Sequence, residues 1–245
     1  MEHLEEVQAY WNQRARGFSM AVEEELASAC GREWARFFQD HLPDGPLDIL
    51  DDGTGAGFFA VILSRLGHRV TAIDYSDQMI LQARERFDAF GLPVAAIQMD
   101  AQNLRFEKES FDAVVTRNVL WNLDAPERAY QEISRVLRPG GTVIVDDGNM
   151  YLYLHNTAYA AARERNRVQA GKGLHDKYNV DHVDFSIMEK IAEDLPMSST
   201  LRPIWDFQQL VSLGFSDIHI TLRGGDLPTG FRIVARKKGN EDWRK

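Results

Sequence analysis

Cysteine is almost missing from this 245-residue chain, where Cys30 is the only one. An intramolecular disulfide is therefore impossible, a metal site is not expected, and Cys30 reads as a small packing residue. Long apolar runs are missing too, so no bilayer-spanning helix is expected. The opening Met1-Glu-His-Leu-Glu-Glu6 lacks the basic-then-apolar profile of a signal peptide, which points to a cytoplasmic location. Positive charge is in deficit: 28 Lys and Arg face 37 Asp and Glu, for a net charge of -9, and the basic residues are scattered. With no basic stripe to neutralise phosphates, a small metabolite rather than nucleic acid is the expected partner. Repeats and low-complexity segments are also lacking. What is present, 44% hydrophobic residues, suffices for the core of one α/β domain with an appended or inserted lid. Oligomeric state is left open.

The most specific stretch is Leu47-Asp-Ile-Leu-Asp-Asp-Gly-Thr-Gly-Ala-Gly57. Ile49 and Leu50 form a short apolar run after Pro46, as a buried parallel strand does, and Gly53, Gly55 and Gly57 alternate directly behind it. Glycines there allow positive φ and let a ligand approach the backbone. Phe58 to Leu66 reads as a helix whose N-terminal amides face that ligand, with Gly67 as its stop. The next strand, His68 to Asp74, ends in a carboxylate about 20 residues after the first glycine, where an acid accepts hydrogen bonds from a ribose diol. A dinucleotide fingerprint G-x-G-x-x-G starting at Gly53 needs glycine at 58, and the chain has Phe58 there.

The observed G-x-G-x-G spacing resembles motif I of the class I S-adenosylmethionine (SAM)-dependent methyltransferases. The likeness runs from Leu47 to Val145 in order and spacing, through Asp74, Met99-Asp-Ala101, Phe111 to Trp121 and the Arg138-Pro-Gly-Gly141 turn. It implies a doubly wound, Rossmann-like seven-stranded α/β sheet with an antiparallel last strand. It also implies SAM as methyl donor, with S-adenosylhomocysteine (SAH) as product. On that resemblance Asp51, Gly53, Thr54, Gly55 and Gly57 surround the methionine part of the cofactor, and Asp74 with Tyr75 lies at the ribose. Asp100 and Ala101 read the adenine, while Met79 either packs on it or belongs to the core. Asn118 and Trp121 stand beside the transfer site. Relatives commonly carry a histidine near Trp121, so Trp121-Asn122 removes one familiar base. Asp52 stands where the family usually has an apolar or small residue, and is expected to point away from the cofactor toward a turn or lid residue. A lone cysteine argues against the arsenite-methylating branch, and Arg117-Asn-Val-Leu-Trp121 lacks the N/D-P-P-Y/F signature of many nucleic-acid and protein methylating enzymes.

Around this core the chain divides into a helical cap over 1–45, the core over 46–147, a helical lid over 148–200 and a C-terminal helix with two strands over 201–237. In the cap, Ala9-Tyr-Trp-Asn-Gln-Arg-Ala-Arg-Gly-Phe-Ser19 resembles the segment that opens many ubiquinone-biosynthesis-like small-molecule methyltransferases and closes over the methionine end of SAM. Tyr10, Arg14 and Phe18 recur at i, i+4 and i+8, so they reach one site. Equally, Trp11 and Phe18 dock the helix while Arg14 makes a surface pair, and spacing alone does not separate the two. Helices are also expected over Ser76 to Phe90, Ala125 to Leu137 and Pro203 to Gly214, and strands over Ile218 to Leu222 and Phe231 to Ala235.

Methyl transfer from a sulfonium needs no general acid, and orientation in line with the methyl supplies about 7–11 kcal/mol in well-oriented systems. A base is needed only for an acceptor that must lose a proton. Asp147, His155 and Tyr151 are the catalytic candidates, with Tyr151 and Tyr153 also as walls for an aromatic acceptor; ordinary lid packing is the alternative for each. His175-Asp176 and His182-Val-Asp184 fit no zinc pattern and read as surface residues. Arg202-Pro-Ile-Trp-Asp206 either closes the pocket or starts a helix. Two other functions stay open at this point: a NAD(P)-linked oxidoreductase on a similar sheet, and a SAM-binding protein without catalysis.

Overall fold

The structure, a computed structural model, describes residues 3–169, 177–225 and 227–239, with side chains omitted at 166–169. His175-Asp176, one of the histidine pairs above, lies outside the described residues. Seven strands form one sheet: β1 (Asp48–Asp52), β2 (Arg69–Asp74), β3 (Ala95–Gln98), β4 (Phe111–Arg117), β5 (Leu137–Gly148), β6 (Phe215–Arg223) and β7 (Gly230–Lys237). Their order is β3-β2-β1-β4-β5-β7-β6. The first five are parallel, and β7 runs antiparallel to both β5 and β6. Chain order reverses between β1 and β4, so the carboxyl ends of these strands open the crevice where ligands bind in such sheets.

Both faces of β1 are covered, which is why its two central residues, Ile49 and Leu50, are both apolar although they point to opposite faces. Ile49 faces a core with Phe38, Phe59, Leu63 and Phe87. Leu50 faces the opposite core with Ile73, Val114, Tyr130, Ile133 and Phe231. On the first side pack α1 (Leu4–Ala27), α2 (Ala29–His41), α3 (Phe58–Arg65) and α4 (Asp77–Phe90). Ser76 caps α4 by accepting from Met79 N at 3.0 Å, satisfying an amide that the first turn leaves open. On the other side lies α5 (Pro126–Val136), which begins on proline and buries Ala129, Tyr130, Ile133 and Val136.

Between β5 and β6 the chain adds α6 (Thr157–Gln169), α7 (Ser186–Ala192) and α8 (Ile204–Ser212). Met188, Ile191, Leu195 and Met197 from this insertion pack against Val7 and Tyr10 of α1 and against Trp121. Gly17 permits close approach there, because a Cβ at that position would run into the carbonyl oxygen of Tyr178. The insertion returns to the sheet through a fully buried guanidinium. Arg202 donates from Nη1 to Asp147 at 2.8 Å and from Nε to Asp206 at 2.9 Å, and Tyr130 donates its hydroxyl to Asp206 at 2.7 Å. Burial alone would lower the Arg202 pKa, but the two carboxylates more than offset it and hold the side chain charged.

Candidate active site

At the carboxyl ends of β1, β2 and β4 lies a cavity of about 380 Å³, roofed by α1 and bordered by the start of the insertion. Its floor is the glycine turn, with φ of 73° at Gly53, 54° at Gly55 and 92° at Gly57. A Cβ at Gly53 would collide with Val119, and one at Gly55 would press on the Phe18 ring, so the turn is a cradle that only glycine leaves open. Asp51 holds the turn onto α3: its Oδ2 accepts from Thr54 Oγ1 at 2.6 Å and from Ala60 N at 3.0 Å. Burial pushes its carboxyl up to about 7 against those bonds.

Asp74 accepts from Gly55 N and from Ser76 N, each at 2.9 Å, which fixes its carboxylate at the edge of the turn. Desolvation raises it to about 6. Asp100 accepts from Gln102 N at 2.9 Å, with Ala101 buried next to it, and the buried Met79 lines the same cavity. Tyr75, Asn118 and Trp121 complete the set of expected residues around the same cavity. Asn118 sits at φ 57°, a left-handed conformation that asparagine tolerates, with its amide donating to Asp146 O at 2.8 Å. Trp121 stands 5.2 Å from Tyr151 and 6.4 Å from Trp11, ring centre to ring centre. Tyr153 continues the wall with Arg163 over its ring at 3.5 Å. Burial pushes the Tyr151 hydroxyl up to about 12, so it carries its proton at neutral pH.

Several expected residues do not meet here. Tyr10 and Arg14 are buried but face the insertion: Arg14 donates to Asn179 Oδ1 at 3.3 Å and lies 4.7 Å over Phe185. Four residues advance a helix by 400°, so an i, i+4, i+8 row winds around the axis. The stripe of α1 that lines the cavity is instead Leu4, Val7, Gln8, Trp11, Phe18, Ala21, Val22 and Glu25, of which only Phe18 belongs to the expected row. Gly57 lies beneath the cavity, where a Cβ would meet the Phe87 ring, so it serves the packing of α4 on the turn. Asp147 is consumed by Arg202 and is 1% exposed, which removes it as a base. His155 is exposed and does not line the cavity, nor does the exposed His182 turn. Of the two readings of Arg202 to Asp206, the segment starts a helix, α8, which opens at Ile204, and does not border the cavity; the Arg202 side chain ties the insertion to β5. Asp52 was expected to bond a turn or a lid residue. Instead Asp52 is among the residues around the cavity, 1% exposed, with neither carboxylate oxygen hydrogen-bonded among the described residues.

Arg117 was not anticipated. It donates to both Glu25 oxygens, at 3.0 and 2.9 Å, and lies 4.6 Å over Phe58, clamping α1 onto the glycine turn. Gln8 does the same at the other end, donating to Tyr75 O at 3.0 Å. The 3/4 spacing of the α1 stripe was a readable signal for these contacts; nothing in the sequence joins Arg163 to them.

Residues 50–145 match a methyltransferase domain family. The phosphatidylethanolamine N-methyltransferase of Cereibacter sphaeroides is 33% identical over 154 residues, 61% of this chain and 73% of that enzyme. The demethylmenaquinone methyltransferase of Thermus thermophilus is 37% identical over 123 residues, 49% of this chain and 56% of that enzyme. A solved SAM-dependent methyltransferase from Methanosarcina mazei shares the fold, with a TM-score of 0.57 at 19% identity over 83% of this chain and 98% of that one. Glycine cradle, strand-end acids, sheet order and sequence relationship converge: the chain belongs to the class I SAM-dependent methyltransferases, with S-adenosyl-L-methionine as cofactor.

Proposed function

We propose that this chain transfers a methyl group from SAM to a small-molecule acceptor, and that it does so by positioning. The observation that carries this reading is one cavity joining the glycine cradle and Asp74 at one end to the aromatic wall of Trp11, Trp121 and Tyr151 at the other. In this reading Gly53, Thr54, Gly55, Asp74, Tyr75, Met79, Asp100 and Ala101 hold the donor, and Asn118 and Trp121 border the transfer point. The orphaned Asp52 oxygens and the open cradle fit a ligand that is both nucleoside-like and cationic. When bound, SAM supplies an electrophilic methyl on a sulfonium, open to in-line displacement. The protein orients the acceptor against the aromatic wall and keeps water out beneath α1, which suits a reaction that needs no acid. Asp147 and His155 are not placed to take a proton, and Tyr151 already holds one. An acceptor whose nucleophile is free at neutral pH fits best.

Two of the relatives are named for phosphatidylethanolamine and demethylmenaquinone, and Leu4, Met150 and Tyr153 give this chain's cavity apolar lining where a hydrophobic acceptor would pack. A NAD(P) oxidoreductase is disfavoured by Phe58 and by the family membership. Calorimetry with SAM, SAH and NADH is expected to show binding of the first two only. Labelled SAM incubated with a metabolite extract is expected to transfer label to a small molecule. Binding of SAH without label transfer to any fraction would instead favour a SAM-binding protein without catalysis.

A further inference from the structure

We propose that Asp52, with Thr116 beside it, is a charge-reading subsite that makes this pocket favour cationic SAM over its neutral-sulfur product SAH. The proposal rests on the SAM-binding reading above. β1 and β4 pair in parallel with Asp52 opposite Thr116, so the two side chains leave the sheet on the same face. Three buried oxygens on that face have no hydrogen-bond partner among the described residues: both of Asp52 and Oγ1 of its cross-strand neighbour Thr116. A buried carboxylate without a partner is costly, and an apolar side chain at this position would avoid the cost.

The groups around it deepen the deficit. Asp51 neighbours it on β1, Asp74 ends β2, Asp100 follows β3, and Glu25 reaches in from α1, so four further carboxylates line the cavity. Two guanidiniums line it as well, but Arg117 is taken by Glu25 and Arg163 by Glu189. Arg117 keeps only its buried Nε without a hydrogen bond, and no lining cation among the described residues pairs with Asp52, so a ligand must bring the charge. Burial, then Asp51, Asp74 and Asp100, push the Asp52 carboxyl up to about 8, so the ligand-free pocket holds a proton there at neutral pH. Entry of a sulfonium favours the carboxylate and releases that proton to solvent, whereas SAH leaves it in place.

Titration calorimetry on the full chain with SAM and with SAH, near pH ~6.5 and ~9 and in two buffers of different ionisation enthalpy, tests this. For the wild type the SAM-to-SAH affinity ratio is expected to rise about tenfold between the two pH values, with proton release on SAM binding at the lower one. Asp52→Asn is expected to flatten the ratio and abolish the release while SAH binding persists. Asp52→Leu, which packs without a polar group, is expected to do the same, and Thr116→Val to act more weakly. A ratio and a proton count unchanged in both Asp52 variants would overturn the subsite and leave the cofactor reading intact. Failure of the wild type to bind either nucleoside would overturn both.

Discussion

Asp52 and Asp51 are neighbours in sequence, both buried on β1, and differ in the face of the sheet they occupy and in their partners. Asp51 faces the α3 side, where Thr54 and the Ala60 amide satisfy it, while Asp52 faces the Thr116 side with no partner. With a pKa of about 8 in the folded chain against an ordinary value of 3.8, Asp52 keeps a proton that the unfolded chain has lost across that window. Folded stability therefore falls as pH rises from near 4 to near 8, and levels off above. Asp52→Asn is expected to melt with the wild type near pH 4 and several degrees higher above pH 8, at about 2–4 °C per kcal/mol for a chain of this size. Scanning calorimetry of the ligand-free protein checks this; identical pH slopes would contradict it. Arg202 is the opposite case, a buried charge fully paired. Removing it in Arg202→Met strands Asp147 and Asp206, and a loss of about 3–5 kcal/mol in urea unfolding is expected.

Among the elements, α1 does the most with the least sequence signal. One stripe roofs the cavity through Trp11 and Phe18, and the adjacent side, with Tyr10, Arg14 and Gly17, receives the insertion. Helical periodicity announced an amphipathic helix, but a helix buried on two sides gives a broad apolar arc in which the two surfaces are not marked. Glycine inside a helix ordinarily costs about 0.5–1 kcal/mol relative to alanine. At Gly17 the sign is expected to invert, because the added methyl meets the Tyr178 carbonyl; Gly17→Ala should destabilise by about 1–3 kcal/mol. Urea unfolding measures the loss, and faster proteolysis between 177 and 183 would locate it.

For the whole molecule, the cavity is closed by parts far apart in the chain: α1, the loop after β4, and residues 150–163. Ligand binding is expected to stabilise these parts together. Hydrogen exchange with saturating SAH should slow in α1 and at 150–154, and stay unchanged in β6, which is an edge strand away from the site. Equal slowing everywhere would indicate global stabilisation rather than closure. Among the described residues no helix is long and apolar enough to cross a membrane.

Local chemistry determined what the sequence alone could state. A strand, a glycine turn and an acid at the next strand end lie within Leu47 to Asp74, so the nucleotide-type cradle, the sheet class and Asp74's placement were legible. Ser76 as helix cap, the α5 pattern and the final antiparallel pair were legible for the same reason, since each depends on neighbours a few residues apart. Long-range packing decided the rest. Whether Asp147 is a base or a structural anion depends on Arg202, 55 residues away, and whether Gly57 touches ligand or Phe87 depends on how α4 settles on the turn. The direction in which Asp52 points was set by strand pairing with β4, which joins it to Thr116 across 64 residues of sequence that carry no mark of the contact.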